Sequence, residues 1–470
     1  MISSENLSFL LGVDVFCGET IIPKGMRGSQ LSFKFTIREI LKGDFIMKVT
    51  VKEPNGKQIK PVHGVGQPPF LGMDFSYIHY LSDAGIPFAR LHDLANHFYG
   101  IVDIPFVFRD FNADPDNPDA YDFTFTDELM KAHDSYGVEP FFRLGVTIEN
   151  YRKIKAYYID PPSDNLKWSK ICEHIILHYN EGWANGFHFN IRYWEIWNEP
   201  ENFKDPAANQ MWSGDMQDYF DLYETSSKYL KEKFPHLKIG GYASCGFYSL
   251  YTKDDGSHPY YNDLVYYTEF FNEFLKMCRE KNCPLDFFSW HNYNGAKEIK
   301  ICAEYARKRL DEEGFVNTET SLNEWHSMPR KRGSAEHAAE NTAILLAMQD
   351  LPVDTAMFYD ARIGTGIYGG LFNPLTREPF RLYYGFKAFN ELYKRKNQLE
   401  VETDGNGVYA VAAKDENDGC VVIANTNCDS LPLDLNVTPK SVREISEKST
   451  YEETEFNGVI KPHSVVEIKF

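Results

Sequence analysis

The sequence predicts an α/β fold: a (β/α)8 TIM barrel with an accessory β-sandwich built from the N- and C-terminal segments. Two observations predict it. Between about residues 60 and 396, short apolar strands alternate with segments whose apolar residues recur every three and four positions, as an outer barrel helix requires. On either side the pattern changes to short runs that alternate with period two, the mark of half-buried strands. At 470 residues the chain exceeds one ordinary domain and suits a barrel of about 250 residues or more with a smaller unit beside it.

In chain order, residues 1–59 contribute FKFTIRE (33–39) and FIMKVTVKE (45–53), rich in Phe, Val, Ile and Thr, with the PNG of 54–56 as a turn closing the second. Two or three strands rarely stand alone, so they need a partner sheet. The far end of the chain offers one. Residues 397–470 return to β runs at 407–415, 419–427, 431–437, 441–449 and 464–470, with DENDG (415–419) as a turn between the first two. Residues 60–396 form the barrel. Its expected strands are VHGVG (62–66), PFARLHD (87–93), EPFFRLGV (139–146), YWEIWNEP (193–200), LKIGGYAS (237–244), LDFFSWHNY (285–293), SLNEWHS (321–327) and TAMFYDAR (355–362). Helical segments separate them at 76–85, 125–137, 168–182, 217–234, 269–282, 299–314 and 335–350. Such alternation means parallel strands, and eight repeats fit a closed barrel. A doubly wound sheet is the competing arrangement, but no GxGxxG or GxxxxGK[ST] follows an early strand.

YWEIWNEP carries the chemistry. It reads as a buried strand that stops at Pro200, leaving Asn198 and Glu199 at its carboxyl end, where a barrel builds its active cleft. A carboxyl group half sheltered among aromatic rings disfavours its charged form, so Glu199 is a candidate proton donor; the plain alternative is a rim glutamate. The seventh strand also ends in a glutamate, Glu324, flanked by Asn323 and Trp325. Two carboxyl groups facing each other across one barrel mouth can bracket one glycosidic bond. Glu319 lies five residues earlier, and strand register decides between the two; Glu324 is favoured because it follows the apolar strand and precedes a Trp. Period-two alternation cannot point both Asn198 and Glu199 inward, so a bulge or distorted peptide is expected at the end of the fourth strand.

Composition bounds the partners. The formal charge of −19 repels phosphates, which argues against nucleic acid. No apolar run approaches the roughly 20 residues of a membrane span, so no membrane partner is expected. The start, MISSENLSFLLGVDVF, has no basic leader or small-residue cleavage site, so it reads as mature sequence, and the expected setting is cytoplasmic. The 8 cysteines show no CxxC pairs and read as reduced thiols, with Cys278–Cys283 and Cys420–Cys428 pairing only in an exported protein. No metal or other cofactor is called for. A metal-dependent hydrolase would draw on His92, His291, His326 and Asp360, yet no HxH ligand cluster is present and His63 stands alone. The sequence is compatible with a homo-oligomer.

NEP at the end of the fourth strand and NEW at the end of the seventh resemble the retaining glycosidases built on this barrel. Together with FARLHD (88–93), the stretch 121–145, DFFSWHNY (286–293) and the stretch 369–392, the run from about 60 to 396 resembles glycoside hydrolase family 39, the β-xylosidases and α-L-iduronidases. The resemblance implies Glu199 as acid/base and Glu324 as nucleophile. It implies that Asn198 binds the hydroxyl next to the anomeric carbon, that Arg90 holds the nucleophile ionised, that His92 and His291 bind sugar hydroxyls, and that Tyr293 donates to Glu324. Each has a structural alternative: an interior ion pair for Arg90, satisfied core histidines for His92 and His291. Trp325 and Trp197 suit core packing as well as a sugar platform. Asp360 either binds substrate or pairs with Arg362. The run 361–373 is glycine-rich where the family is aromatic-rich, which leaves contacts from that loop open. The expected activity is a retaining, exo-acting hydrolase that releases a sugar, a pentose such as xylose, from short β-linked carbohydrates; another sugar of the same clan (arabinoside, galactoside, glucoside or uronide) and an inactive carbohydrate-binding protein are the alternatives.

Overall fold

A computed structural model describes residues 46–96, 99–148, 159–364 and 366–470; the strand expected at 33–39 lies outside them. Eight parallel strands close into a barrel: Gly64–Gly66, Phe88–Leu91, Glu139–Leu144, Tyr193–Ile196, Lys238–Ser244, Phe287–Asn292, Glu319–Trp325 and Thr355–Tyr359. Each pairs with its neighbours in sequence, and the eighth closes on the first through Met357–Gly64 and Tyr359–Gly66.

Side chains of alternate residues fill the barrel in layers. At the bottom Phe88, Phe141, Tyr193, Phe287 and Met357 make an apolar plug, with the Phe141 and Tyr193 rings stacked at 4.9 Å. Two residues further along the same strands stand Arg90, Arg143, Glu195 and Ser289, all buried. Polar groups at that depth call for partners: Arg90 Nε donates to Glu195 Oε2 at 2.7 Å and Ser289 Oγ to Glu195 Oε1 at 2.6 Å, whereas Arg143 Nη1 has none among the described residues. The outward-facing residues, among them Trp194, Ile196, Ile239, Phe288 and Leu322, join the core between strands and helices.

The outer helices match the expected segments closely, for instance Asn165–Glu181 and Met216–Lys233. The latter opens with a capping box in which the Asp215 side chain accepts from the Asp218 N–H and Asp218 accepts from the Asp215 N–H. Tyr261–Lys281 begins eight residues before the expected start at 269. A further helix, Arg381–Arg395, follows the eighth strand with Leu382, Phe386 and Phe389 on its buried side; its 3–4 spacing was available in a stretch read only for family likeness.

Apart from a two-stranded pair, Ala95–Asn96 with Tyr99–Gly100, the remaining strands form one nine-stranded sheet in which Met47–Gln58 lies between Asn397–Thr403 and Leu431–Leu435. Strands from both ends of that sheet share one apolar core, including Met47, Val49, Leu433, Val442 and Ile468, so the sheet curls over itself as a sandwich does. The expected turn at 54–56 is not a turn. The strand runs through it with register shifts at Val51/Pro54 and Pro54/Gln58, because Pro54 lacks the N–H that a regular ladder needs and is accommodated as a bulge.

Among the described residues, no helix is long and apolar enough to cross a membrane. Cys278, Cys283 and Cys420 are free thiols, so neither pairing considered from sequence occurs.

Candidate active site

At the carboxyl ends of the strands lies a cleft of about 770 Å³. Its floor holds Asn198, Glu199 and Glu324, and its walls include His92, Asp93, Tyr293 and Arg362. The fourth strand leaves regular geometry as expected: Trp197 and Glu199 adopt φ of 71° and 45°, in the left-handed region that L residues rarely occupy. This break lets both Asn198 and Glu199 face the cleft while the Trp197 indole stays in the core and donates to the Met211 carbonyl at 2.9 Å. The Glu199 N–H is satisfied by the Ala243 carbonyl at 3.1 Å.

Glu199 Oε2 accepts from Asn202 Nδ2 at 2.8 Å, and Oε1 lies 2.6 Å from His291 Nδ1. Burial pushes the Glu199 carboxyl up to about 7, which favours its protonated form over that of an ordinary glutamate near neutral pH.

Glu324 is held differently. Its Oε1 accepts from Arg90 Nη1 at 2.7 Å and its Oε2 from the Tyr293 hydroxyl at 2.5 Å. Burial pushes its carboxyl above the ordinary glutamate range, opposed by His291 and then by the charge of Arg90. Arg90 itself is fully buried and spends its other nitrogens on Glu195 Oε2, at 2.7 Å, and Asn198 Oδ1, at 2.6 Å. Glu195 Oε1 accepts from Ser289 Oγ at 2.6 Å and Asn323 Nδ2 at 2.5 Å. One guanidinium therefore links the fourth and seventh strands. An oxygen of Glu199, an oxygen of Glu324 and a nitrogen of His291 all lie within 4.8 Å of one another.

His92 lines the cleft. Arg143 Nε donates to its Nδ1 at 3.1 Å, which leaves Nε2 as the N–H, 3.1 Å from Asp93 Oδ1 and 3.9 Å from Glu324 Oε1. Burial, with Arg90 nearby, holds His92 well below the usual imidazole range, so it is a neutral donor. Arg143 is in turn fixed by Asp103 at 2.6 Å. Asp93 accepts from the Tyr359 hydroxyl at 2.9 Å, and Gln67 Nε2 donates to that hydroxyl at 2.7 Å.

The structure thus gathers Glu199, Glu324, Asn198, Arg90, His92, His291 and Tyr293 around one point. It separates two others. Trp325 is fully buried against Phe358, in the packing role. Asp360 is buried and paired with Arg362 Nη2 at 2.8 Å, leaving the Arg362 side chain on the cleft wall. Glu319, the alternative to Glu324, sits at the opposite end of the seventh strand, where it accepts from the Tyr193 hydroxyl at 2.9 Å and pairs with Lys238. Sequence reasoning missed Glu195, Asn202 and Asp93. Counting by twos from Tyr193 would have placed Glu195 inside the barrel; Asn202 follows the strand in an irregular turn, where no periodicity applies.

The sequence model of glycosyl hydrolases family 39 matches residues 78–331. The chain is 27% identical over 235 residues to a β-xylosidase of Geobacillus stearothermophilus, covering 48% of this chain and 40% of that protein. It is 23% identical over 416 residues to a β-xylosidase of Caldicellulosiruptor saccharolyticus, covering 80% and 77% respectively. In fold it is similar to a glucosidase from Croceicoccus marinus, with a TM-score of 0.70 at 19% identity over 91% of this chain and 99% of that one. It is also similar to a family 39 β-xylosidase from Caulobacter crescentus, with a TM-score of 0.63 at 16% identity over 90% and 99%.

Proposed function

Since the chain belongs to glycosyl hydrolases family 39, we propose that it is a retaining, exo-acting glycosidase that removes a pentose such as xylose from short β-linked glycosides. The observation that carries the mechanism is the approach of Glu199 and Glu324 to within 4.8 Å, oxygen to oxygen. Direct attack by a carboxylate needs carboxyl groups about 5 to 5.5 Å apart, whereas roughly 6.5 to 9.5 Å makes room for a water and inverts the product. The two β-xylosidases similar in sequence support the choice of sugar.

In the first step Glu199 gives its proton to the departing oxygen while a Glu324 oxygen attacks the anomeric carbon, giving a glycosyl ester and an alcohol. In the second, ionised Glu199 takes a proton from water as that water attacks the same carbon and releases Glu324. Tyr293 and Arg90 keep Glu324 anionic and aimed. Asn198, locked by Arg90, presents its amide N–H to the sugar hydroxyl beside the reacting carbon.

Both ionisations shape the pH profile. Glu199 must be protonated to act first, so kcat/KM falls as pH rises through about 7. Glu324 must be ionised, so kcat/KM also falls on acidification, at a pH above the ordinary glutamate value because burial raises it. A panel of aryl β-glycosides with proton NMR of the first-formed anomer tests the reading. β product, activity that survives chelator, and a fall of about 100- to 10,000-fold in Glu199→Gln on substrates with poor leaving groups are expected. Initial α product, or an active Glu199→Gln, removes the double displacement from consideration.

A further inference from the structure

We propose that Tyr248 and Tyr251 are specificity-determining residues of a leaving-group subsite, and that they hold a neutral sugar residue there by donating their hydroxyl protons to it. The inference deepens the reading given above and rests on its roles for Glu199 and Glu324.

The place of the subsite follows from the orientation of Glu199. Its Oε1 turns toward Glu324, since His291 Nδ1 lies 2.6 Å from Glu199 Oε1 and 3.6 Å from Glu324 Oε2. Its Oε2 turns the other way, to Asn202 Nδ2 at 2.8 Å. Asn202 in turn touches the segment that follows the strand Lys238–Ser244. Its amide lies 3.8 Å from Cys245 Sγ, and its carbonyl accepts from the Tyr267 hydroxyl at 2.8 Å. With the anomeric carbon over Glu324 and the departing oxygen at Glu199, the rest of the leaving group extends to this wall.

The chemistry of the wall selects its occupant. It brings Tyr248, Tyr251, Thr252, His258 and Leu264 to the cleft, with no carboxylate, lysine or arginine among the lining residues of that segment. On the Glu324 side, by contrast, the cleft carries Asp93, joined to Glu324 through His92. A charged leaving group would therefore lose water at the tyrosine wall without gaining a counter-ion.

The two hydroxyls are left as donors. Tyr251 Oη accepts from Asn294 Nδ2 at 2.9 Å and from Asn292 Nδ2 at 3.3 Å, which uses both of its lone pairs. The Asn292 amide is fixed in that sense because its Oδ1 accepts from the Asn294 N–H at 2.9 Å. Tyr248 Oη accepts from the Tyr293 N–H at 3.2 Å. Neither hydroxyl donates to a group among the described residues, so each has one proton for a ligand. Burial pushes both phenols above their ordinary range, and both stay protonated. A sugar residue offers acceptor oxygens to two such donors; an alkyl or unsubstituted aryl group offers none. The two rings meet at 69° with centroids 6.1 Å apart, a corner that suits a puckered ring and makes no slot for a flat one.

The test uses Tyr248→Phe, Tyr251→Phe and the double variant, which keep the rings and lose only the hydroxyls. Two substrates share one glycone: xylobiose, whose leaving group is a sugar, and trifluoroethyl β-xyloside, whose small leaving group has no hydroxyls. The expected loss in kcat/KM on xylobiose is roughly 3- to 10-fold for each single variant and roughly 10- to 100-fold for the double. The double variant's loss is at least about fivefold greater on xylobiose than on the trifluoroethyl glycoside. Equal losses on the two substrates would make the hydroxyls mere props for the Tyr293 and Asn294 donors and overturn the proposal. So would a double variant that hydrolyses xylobiose as wild type does. Calorimetric titration of the same two ligands into Glu324→Gln, with and without each phenylalanine change, reads the subsite without turnover. Xylobiose binding weakened more than trifluoroethyl xyloside binding supports the proposal, and equal weakening overturns it. The supporting result in a protein whose wild type hydrolyses none of the glycosides would sink only the functional reading, whereas no binding of either ligand would sink both.

Discussion

Arg90 has to serve two carboxylates at once, and Glu195 is what lets it do so. Nucleophile and guanidinium alone would form a tight pair with the arginine free to turn; Glu195, receiving Nε on one oxygen and Ser289 and Asn323 on the other, holds the guanidinium plane so that Nη1 meets Glu324 and Nη2 meets Asn198. Glu195→Gln replaces one acceptor oxygen with an amide donor that must face a donor already there. The expected outcome is a stability loss of about 2–4 kcal/mol in urea unfolding and a roughly 10- to 100-fold lower kcat/KM through misdirected Arg90. Wild-type values for both would remove Glu195 from the machinery. Glu199 and Glu324 were legible in the sequence because motif and strand end coincide there, and Arg90 only through the family resemblance of FARLHD. Glu195 was not, although it lies inside YWEIWNEP, because attention to the strand's end passes over the charged residue that alternation alone puts in the interior.

The fourth and seventh strands both break their period where they reach the cleft. On the fourth, positive φ at Trp197 and Glu199 does this; on the seventh, the pairing with both neighbouring strands slips after Leu322, so that Asn323 points down to Glu195 and Glu324 up into the cleft. The first break was predictable, since Asn198 and Glu199 are adjacent and both needed inside. The second was not expected, because nothing in the sequence singled out Asn323 as an inward residue. Register also settles the two glutamates of the seventh strand. Glu319 belongs to the barrel's base, in a half-exposed pairing with Lys238 and Tyr193. Glu319→Gln should therefore cost no more than about 1 kcal/mol and leave kcat unchanged, while Glu324→Gln abolishes turnover without loss of fold. Circular dichroism melts beside initial rates on one aryl glycoside distinguish these outcomes, and a Glu319→Gln that loses activity with its melting temperature intact would reverse the assignment. After the eighth strand the glycine-rich run gave no periodicity, so the partnership of Asp360 with Arg362 and the place of Tyr368 against Tyr293 had to come from tertiary structure.

Across the whole molecule, the alternation of strand and helix announced the barrel, but nothing in it announced how closely the second sheet is joined on. The strand Gly419–Asn425 is buried along its entire length. Val421 and Ile423 belong to the curled sheet's own core, whereas Cys420, Val422 and Ala424 belong to the barrel's. Strict alternation of exposed and buried residues, the expectation for a sheet with one wet face, therefore fails there. Polar clasps reinforce the seam: Lys469 meets Glu391 at 2.9 Å, Arg395 meets Asp418 at 2.8 Å, and Arg381 donates to the Ser446 and Glu447 carbonyls at 2.9 and 3.0 Å. A seam of shared apolar core makes separate unfolding unfavourable, since parting the units would expose helices Ala335–Ala347 and Arg381–Arg395 to water. The expected behaviour is one cooperative transition. All 7 tryptophans lie in the barrel, between 168 and 325, so their fluorescence reports that unit alone. Cys420, a buried free thiol on the sheet's barrel-facing side, reports the other. On heating, alkylation of Cys420 followed by mass spectrometry of its peptide should rise over the same few degrees as the fluorescence change. A Cys420 that becomes reactive well below the fluorescence midpoint would show that the sheet detaches first and that the shared core contributes little to holding it.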